Sequence, residues 1–132
     1  MATINELSLE IKMVLRKQPY FQNTIKEKVD KLEKLIRETE WCSRYIDDID
    51  LPTELLMHYG YYQEALKLLI AATDQEPCSL DLPSYHLDMA ICYFNLKDYQ
   101  KAEKYFDMVA SDDEDYCEYI YPYRQKLEEL KK

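Results

Sequence analysis

The chain has 132 residues, is 47% hydrophobic and 33% charged, and carries a formal net charge of −9. Its length suits one domain with a buried core, its composition excludes wholesale disorder, and its single glycine argues against phosphate-cradling loops, tight hairpins and most β architectures. Residues 47–132 hold eight Lys/Arg against nineteen Asp/Glu, which disfavours nucleic-acid or anionic-membrane binding through that part.

Thr3 followed by Glu6 reads as a capping box, and Ile4, Leu7, Ile11, Val14 and Leu15 then share one helical face until Pro19 stops the helix. A second capping box, Thr24 with Glu27, predicts the longest helix, about 24–47. Its apolar stripe is Ile25, Val29, Leu32, Leu35, Ile36 and Tyr45. The opposite face is laced by the i,i+4 pairs Glu27–Lys31 and Asp30–Lys34. It reads as a solvated face, with a coiled-coil seam as the sharper alternative.

Asp50 is placed as an N-cap with Pro52 in the first turn of a helix over about 51–59, and Gly60 as the residue that ends it. Tyr62 to about Thr73 forms the next helix. Asp81-Leu82-Pro83 opens another that runs to Leu96, and Tyr99 to about Ala110 follows. The acidic run Ser111-Asp112-Asp113-Glu114-Asp115 suits a helix N-terminus, and Tyr116, Ile120, Tyr123, Leu127 and Leu130 stripe a last helix. Pro122 either kinks this helix or moves its start to about 121.

Two of these segments echo each other. Setting Tyr62 on Tyr99 brings Ala65 onto Ala102, Leu69 onto Phe106 and Leu66 onto Glu103, a shift of 37 positions (99 − 62). Such a period signals stacked helical hairpins, with the aromatic plugging the corner and the alanine allowing close helix approach.

These residues resemble the tetratricopeptide repeat (TPR), a helix-turn-helix repeat. One copy supplies Gly60, Tyr62, Ala65, Leu69, Ala72 and Pro77, the other Ala90, Tyr93, Tyr99, Ala102 and Phe106. Lys97 stands where the pattern has its turn glycine, and Pro52 where it has a leucine. The stretch Tyr85–Tyr105 is also similar to the second repeat of the mitochondrial fission-1 adaptor family. Leu51-Pro52 and Gly60–Leu66 are similar to a Golgi vesicle-tethering subunit. The resemblance implies an all-α fold: antiparallel helix-turn-helix repeats, TPR-like and two in number, in a single helical domain over 1–132. A helical pair at 1–47 and a helix at 111–132 would cap the repeats at 48–110.

In the TPR family the first helix of each repeat lines a groove for a partner peptide. Carried over, those positions are Asp50, Glu54, Met57 and His58, then Leu87, Ile91, Phe94 and Asn95. Where some TPR modules grip a C-terminal carboxylate with Lys, Arg and Asn, this chain has Asp50, Glu54, Leu87 and Ile91, so that clamp is not expected. An apolar strip with an acidic edge instead suits an amphipathic helix or peptide with basic flanks, unless this chain's own N-terminal helices cover it.

His58 and His86 are the only histidines, and neither has a partner at catalytic or zinc-ligand spacing. Cys42, Cys78, Cys92 and Cys117 form no CxxC and read as reduced thiols. No cofactor, metal or catalytic residue is expected, nor any membrane-inserted segment, and a cytoplasmic setting follows. The sequence therefore predicts a non-enzymatic adaptor or complex subunit that binds a helical segment of a partner. The alternative is a structural homodimer joined through helix 24–47.

Overall fold

A computed structural model describes residues 3–18, 20–38, 52–74, 82–112 and 117–131. These residues form an all-α fold of seven helices: α1 (Ile4–Lys17), α2 (Gln22–Glu38), α3 (52–58), α4 (Tyr62–Asp74), α5 (Leu82–Asn95), α6 (Tyr99–Asp112) and α7 (Cys117–Lys131). The chain divides into two compact units, Met1–Leu80 and Asp81–Lys132. The division falls inside the 48–110 segment that the repeat pattern groups together, so each helical hairpin belongs to a different unit.

In the first unit Thr3 caps α1 as expected, its Oγ1 accepting the Glu6 amide at 3.1 Å. Ile4, Leu7, Ile11 and Leu15 are buried, at the three- and four-residue steps that keep side chains on one face. The second helix departs from its expected start. It begins at Gln22, two residues before Thr24, and the Ile25 amide bonds back to the Phe21 carbonyl at 3.0 Å. Thr24 thus lies within the first turn rather than capping it. Residues 39–47 of the predicted long helix, with Tyr45, and the Asp50 cap lie outside the described residues.

Ile25, Val29, Leu32 and Ile36 of α2 are fully buried, each such burial contributing about 1.5–3 kcal/mol. The helix packs on α1 with one side and on α4 with another. Across the α1 side, Lys28 pairs with Glu10 at 3.2 Å. Across the α4 side, Asp30 pairs with Lys67 and Arg37 with Asp74, both at 3.0 Å. Each of these two pairs joins residues 37 positions apart, so α2 and α4 run parallel, in register. The predicted Glu27–Lys31 pair forms at 3.3 Å. The predicted Asp30–Lys34 pair does not: Lys67 of α4 captures Asp30, and Lys34 turns to Glu38 at 4.0 Å.

Gly60 ends α3 with φ +87°, the left-handed conformation that a residue without Cβ adopts at little cost. Its amide donates to the Met57 carbonyl at 3.1 Å, and the Tyr61 amide donates to the Leu56 carbonyl at 2.7 Å. This is the paired 5→2 and 6→1 closure of a Schellman turn. The second unit repeats it. The Lys97 amide donates to the Phe94 carbonyl at 3.1 Å, and the Asp98 amide to the Tyr93 carbonyl at 2.9 Å. Lys97 itself has φ +67°. The α1–α2 connection is built differently, with Gln18 at φ −141°.

Helix α6 packs on both α5 and α7. Ala102, Phe106 and Val109 of α6 are fully buried, as are Ala90 and Cys92 of α5 and Ile120 of α7. The acidic run does not start a helix at Ser111: α6 continues through Asp112, and 113–116 lie outside the described residues. Helix α7 starts at Cys117, so Pro122 sits inside it. There the ring nitrogen has no hydrogen for the Glu118 carbonyl. Of its predicted stripe, Ile120 and Leu127 are buried, Tyr123 is half-buried and Leu130 is exposed.

Candidate functional site

The residues carried over from the repeat pattern fall on two helices in separate units. Glu54, Met57 and His58 share one face of α3, where Met57 is half-buried and the other two are exposed. Leu87, Ile91, Phe94 and Asn95 share one face of α5, where the first three are half-buried and Asn95 is exposed. Each set is brought together within its own helix by the i, i+3, i+4 spacing.

On α5 the Phe94 end of the face is already engaged. Asn95 turns its amide back to the Ile91 carbonyl at 2.8 Å. The Phe94 ring meets Tyr99 edge to face at a centroid distance of 5.6 Å and Tyr123 of α7 at 5.2 Å. Tyr123 also stacks on Phe106 at 5.2 Å, and the Lys126 ammonium stands 6.0 Å from the Phe94 centroid. Arg124 pairs with Asp107 of α6 at 2.8 Å. The sequence left this face either open or covered by the N-terminal helices; within its own unit, the side chain found on Phe94 comes from the C-terminal helix. Tyr123 was visible in the sequence as part of an apolar stripe. Its target was not, because a stripe shows that a face is buried without naming what buries it. Arg124 and Lys126 carried no sequence signal beyond charge.

Between α6 and α7 lies a cleft of about 280 Å³ lined by Phe106, Leu127, Tyr121, Asp107 and Arg124 among others. On the other side of α5 a second aromatic group forms. Tyr93 stacks on Tyr105 at 5.5 Å, His86 contacts Tyr105 at 5.5 Å, and the Lys101 ammonium stands 5.5 Å over Tyr93. Burial, then neighbouring Tyr105, Asp98 and Cys92, raises the Tyr93 phenol above its usual range. Burial and nearby Asp88 push the Cys92 thiol up to about 12, which keeps it a neutral, unreactive core group. Cys117 is exposed, and both thiols are free. Cys42 and Cys78 lie outside the described residues.

In the first unit, His58 is exposed and meets Tyr59 edge-on at 5.0 Å. The hydrogen bond from Lys67 to Asp30 raises the lysine, reinforced by Glu33 and Glu64. Burial, then Glu64, raises the Tyr61 phenol. Leu32, the residue a dimer seam on helix 24–47 would need at its surface, is fully buried. Among the tyrosines, Tyr85 and Tyr93 are buried, whereas Tyr20, Tyr119 and Tyr121 are largely exposed. Among the described residues, no group of three His, Cys, Asp or Glu side chains is placed to hold a metal ion. No described helix is long and apolar enough to cross a membrane.

No protein-family model, curated protein or solved structure matches the chain.

Proposed function

We propose that this protein is a TPR-like, non-enzymatic adaptor or complex subunit that binds an amphipathic, basic-flanked helical segment of a partner protein. The observation that carries the reading is the identity of the two hairpin turns. Gly60 and Lys97, 37 positions apart (97 − 60), both take positive φ and close the same pair of backbone bonds. Ala65 and Ala102 are fully buried after them, as are Leu69 and Phe106. The parallel packing of α2 on α4 at the same offset is what consecutive second helices of a repeat array would do.

In such arrays the partner lies against the first helices, so α5 with Leu87 and Ile91, and α3 with Met57, are the faces proposed to receive it. The surplus of acidic over basic residues in 47–132 favours basic flanks on that partner. The thiols, free in the structure at Cys92 and Cys117, fit a reducing, cytoplasmic setting. A panel of fluorescent amphipathic helices with lysines at both ends should bind saturably by anisotropy. Ile91→Asp should weaken the best binder by about tenfold or more while the circular dichroism spectrum is kept. Absence of binding across the panel, or binding indifferent to Ile91→Asp, would count against the reading.

A further inference from the structure

We propose that α7 is a built-in occupant of the α5/α6 face, and that the partner helix which displaces it carries α7's own chemistry. That chemistry is an aromatic residue followed by a basic one, with an aliphatic residue a turn away on either side. The inference deepens the adaptor reading and rests on it.

Three observations meet here. First, Phe94 belongs to the face of α5 that would receive a partner, yet its ring is met edge-on by Tyr123 at 5.2 Å and overlooked by Lys126. Tyr123 simultaneously stacks on Phe106 of α6. One aromatic side chain from another helix therefore already sits where a ligand aromatic would sit.

Second, the hold of α7 is thin. Only Ile120 and Leu127 are buried among its described side chains, while Tyr119, Tyr121 and Leu130 are each more than half exposed. A cleft of about 280 Å³ stays open on α6 beside it. Pro122 removes one backbone hydrogen bond from its second turn. Few buried contacts and an interrupted hydrogen-bond ladder mark a segment that opens before the rest of its unit.

Third, the charge contact is complementary and solvent-facing: Arg124 meets Asp107 at 2.8 Å with both side chains about half exposed. A partner arginine reaches the same carboxylate without first taking an ion out of a buried site. The ligand pattern is thus written in α7: Ile120, Tyr123, Arg124 and Leu127. Because α7 is tethered, it competes at high effective concentration. The apparent affinity of any partner is lowered by the fraction of time the face is covered.

The test uses the full chain and a labelled peptide with the sequence of residues 117–131, its Pro122 replaced by alanine. Arg124→Glu in the full chain loosens α7 at an exposed position and leaves Asp107 for the peptide's arginine. Tyr123→Ala is the second variant. Both should bind the peptide at least tenfold more tightly than the unaltered chain. Hydrogen exchange should show α7 amides opening ahead of those in α5 and α6. The inference is overturned if the peptide binds all three chains equally, if α7 exchanges only together with α5 and α6, or if the variants instead form dimers by trading α7. If panel helices bind and respond to Ile91→Asp while the α7 variants change nothing, the adaptor reading survives and this inference does not. If neither panel nor α7 peptide binds any chain, both fall.

Discussion

The hairpins α3–α4 and α5–α6 make the same turn with different residues at its two critical positions. In the first, the left-handed residue is glycine, and the next helix begins after Tyr61, whose carbonyl accepts the Ala65 amide. In the second, the left-handed residue is Lys97, and the next helix begins after Asp98, whose carboxylate accepts the Lys101 amide at a long 3.4 Å. A lysine in that conformation is disfavoured by about 1 kcal/mol against glycine. The side-chain cap at Asp98 offsets part of that, since such caps contribute about 0.5–2 kcal/mol. The backbone closure is therefore the invariant feature, and two combinations of side chains satisfy it.

The largest expected break in this equivalence lies in the core. Phe106→Ala should destabilise by about 3–5 kcal/mol and Leu69→Ala by about 2–5 kcal/mol in urea unfolding. Phe106 also supports Tyr123, so its loss should release α7 as well, seen as early exchange of α7 amides. A loss of under 1 kcal/mol at either position would contradict their burial.

Alkaline pH should separate the hairpins next. The position of Cys92 is held by Leu55 in the first hairpin, so only the second buries a thiol there. Its folded value is raised from 9.0 to about 12. The native state therefore keeps a proton that the unfolded chain releases. This contribution is fully present below about pH 9 and is lost as pH rises toward 12, at up to about 1.4 kcal/mol per pH unit. Tyr93, also raised, adds in the same direction. Cys92→Ala should flatten the alkaline limb of the stability curve. An unchanged limb would refute the assignment.

Overpacking the helix contact comes third. Ala65→Leu and Ala102→Leu should each cost about 1–3 kcal/mol, because both alanines are fully buried. A neutral result at one position alone would show that the hairpins approach at different distances.

The smallest effects are at the turns and have opposite signs. Gly60→Ala should destabilise by about 1 kcal/mol: nothing lies within 4 Å of the added Cβ, so the strain is in the backbone alone. Lys97→Gly should stabilise by up to about 1 kcal/mol by relieving the same strain. Melting temperatures that move in the same direction for both would break the proposed equivalence of the turns.

Much of this architecture could be read in the chain before its structure. Thr3 marked the start of α1 and Gly60 the end of α3, because an N-cap oxygen and a missing Cβ act within one turn. The buried faces of α1 and α2 followed from periodicity, and the echo of Ala65 in Ala102 from the 37-residue shift. Less legible was anything involving a choice between partners. Asp30 had a suitable lysine four residues on, yet pairs with Lys67 from another helix. Phe94 was placed on an open or N-terminally covered face, yet Tyr123 meets it.

From the chain alone came the existence and order of most helices, the turn at Gly60 and the buried stripes of α1 and α2, though not the start of α2 or of α7. Those are local properties, set by backbone geometry and side-chain spacing within a few residues. The parallel packing of α2 on α4, and the meeting of Tyr123 of α7 with Phe94 and Phe106, are visible only in three dimensions. An apolar stripe gains nearly the same free energy against any complementary surface, so only the three-dimensional arrangement of competing surfaces selects among them.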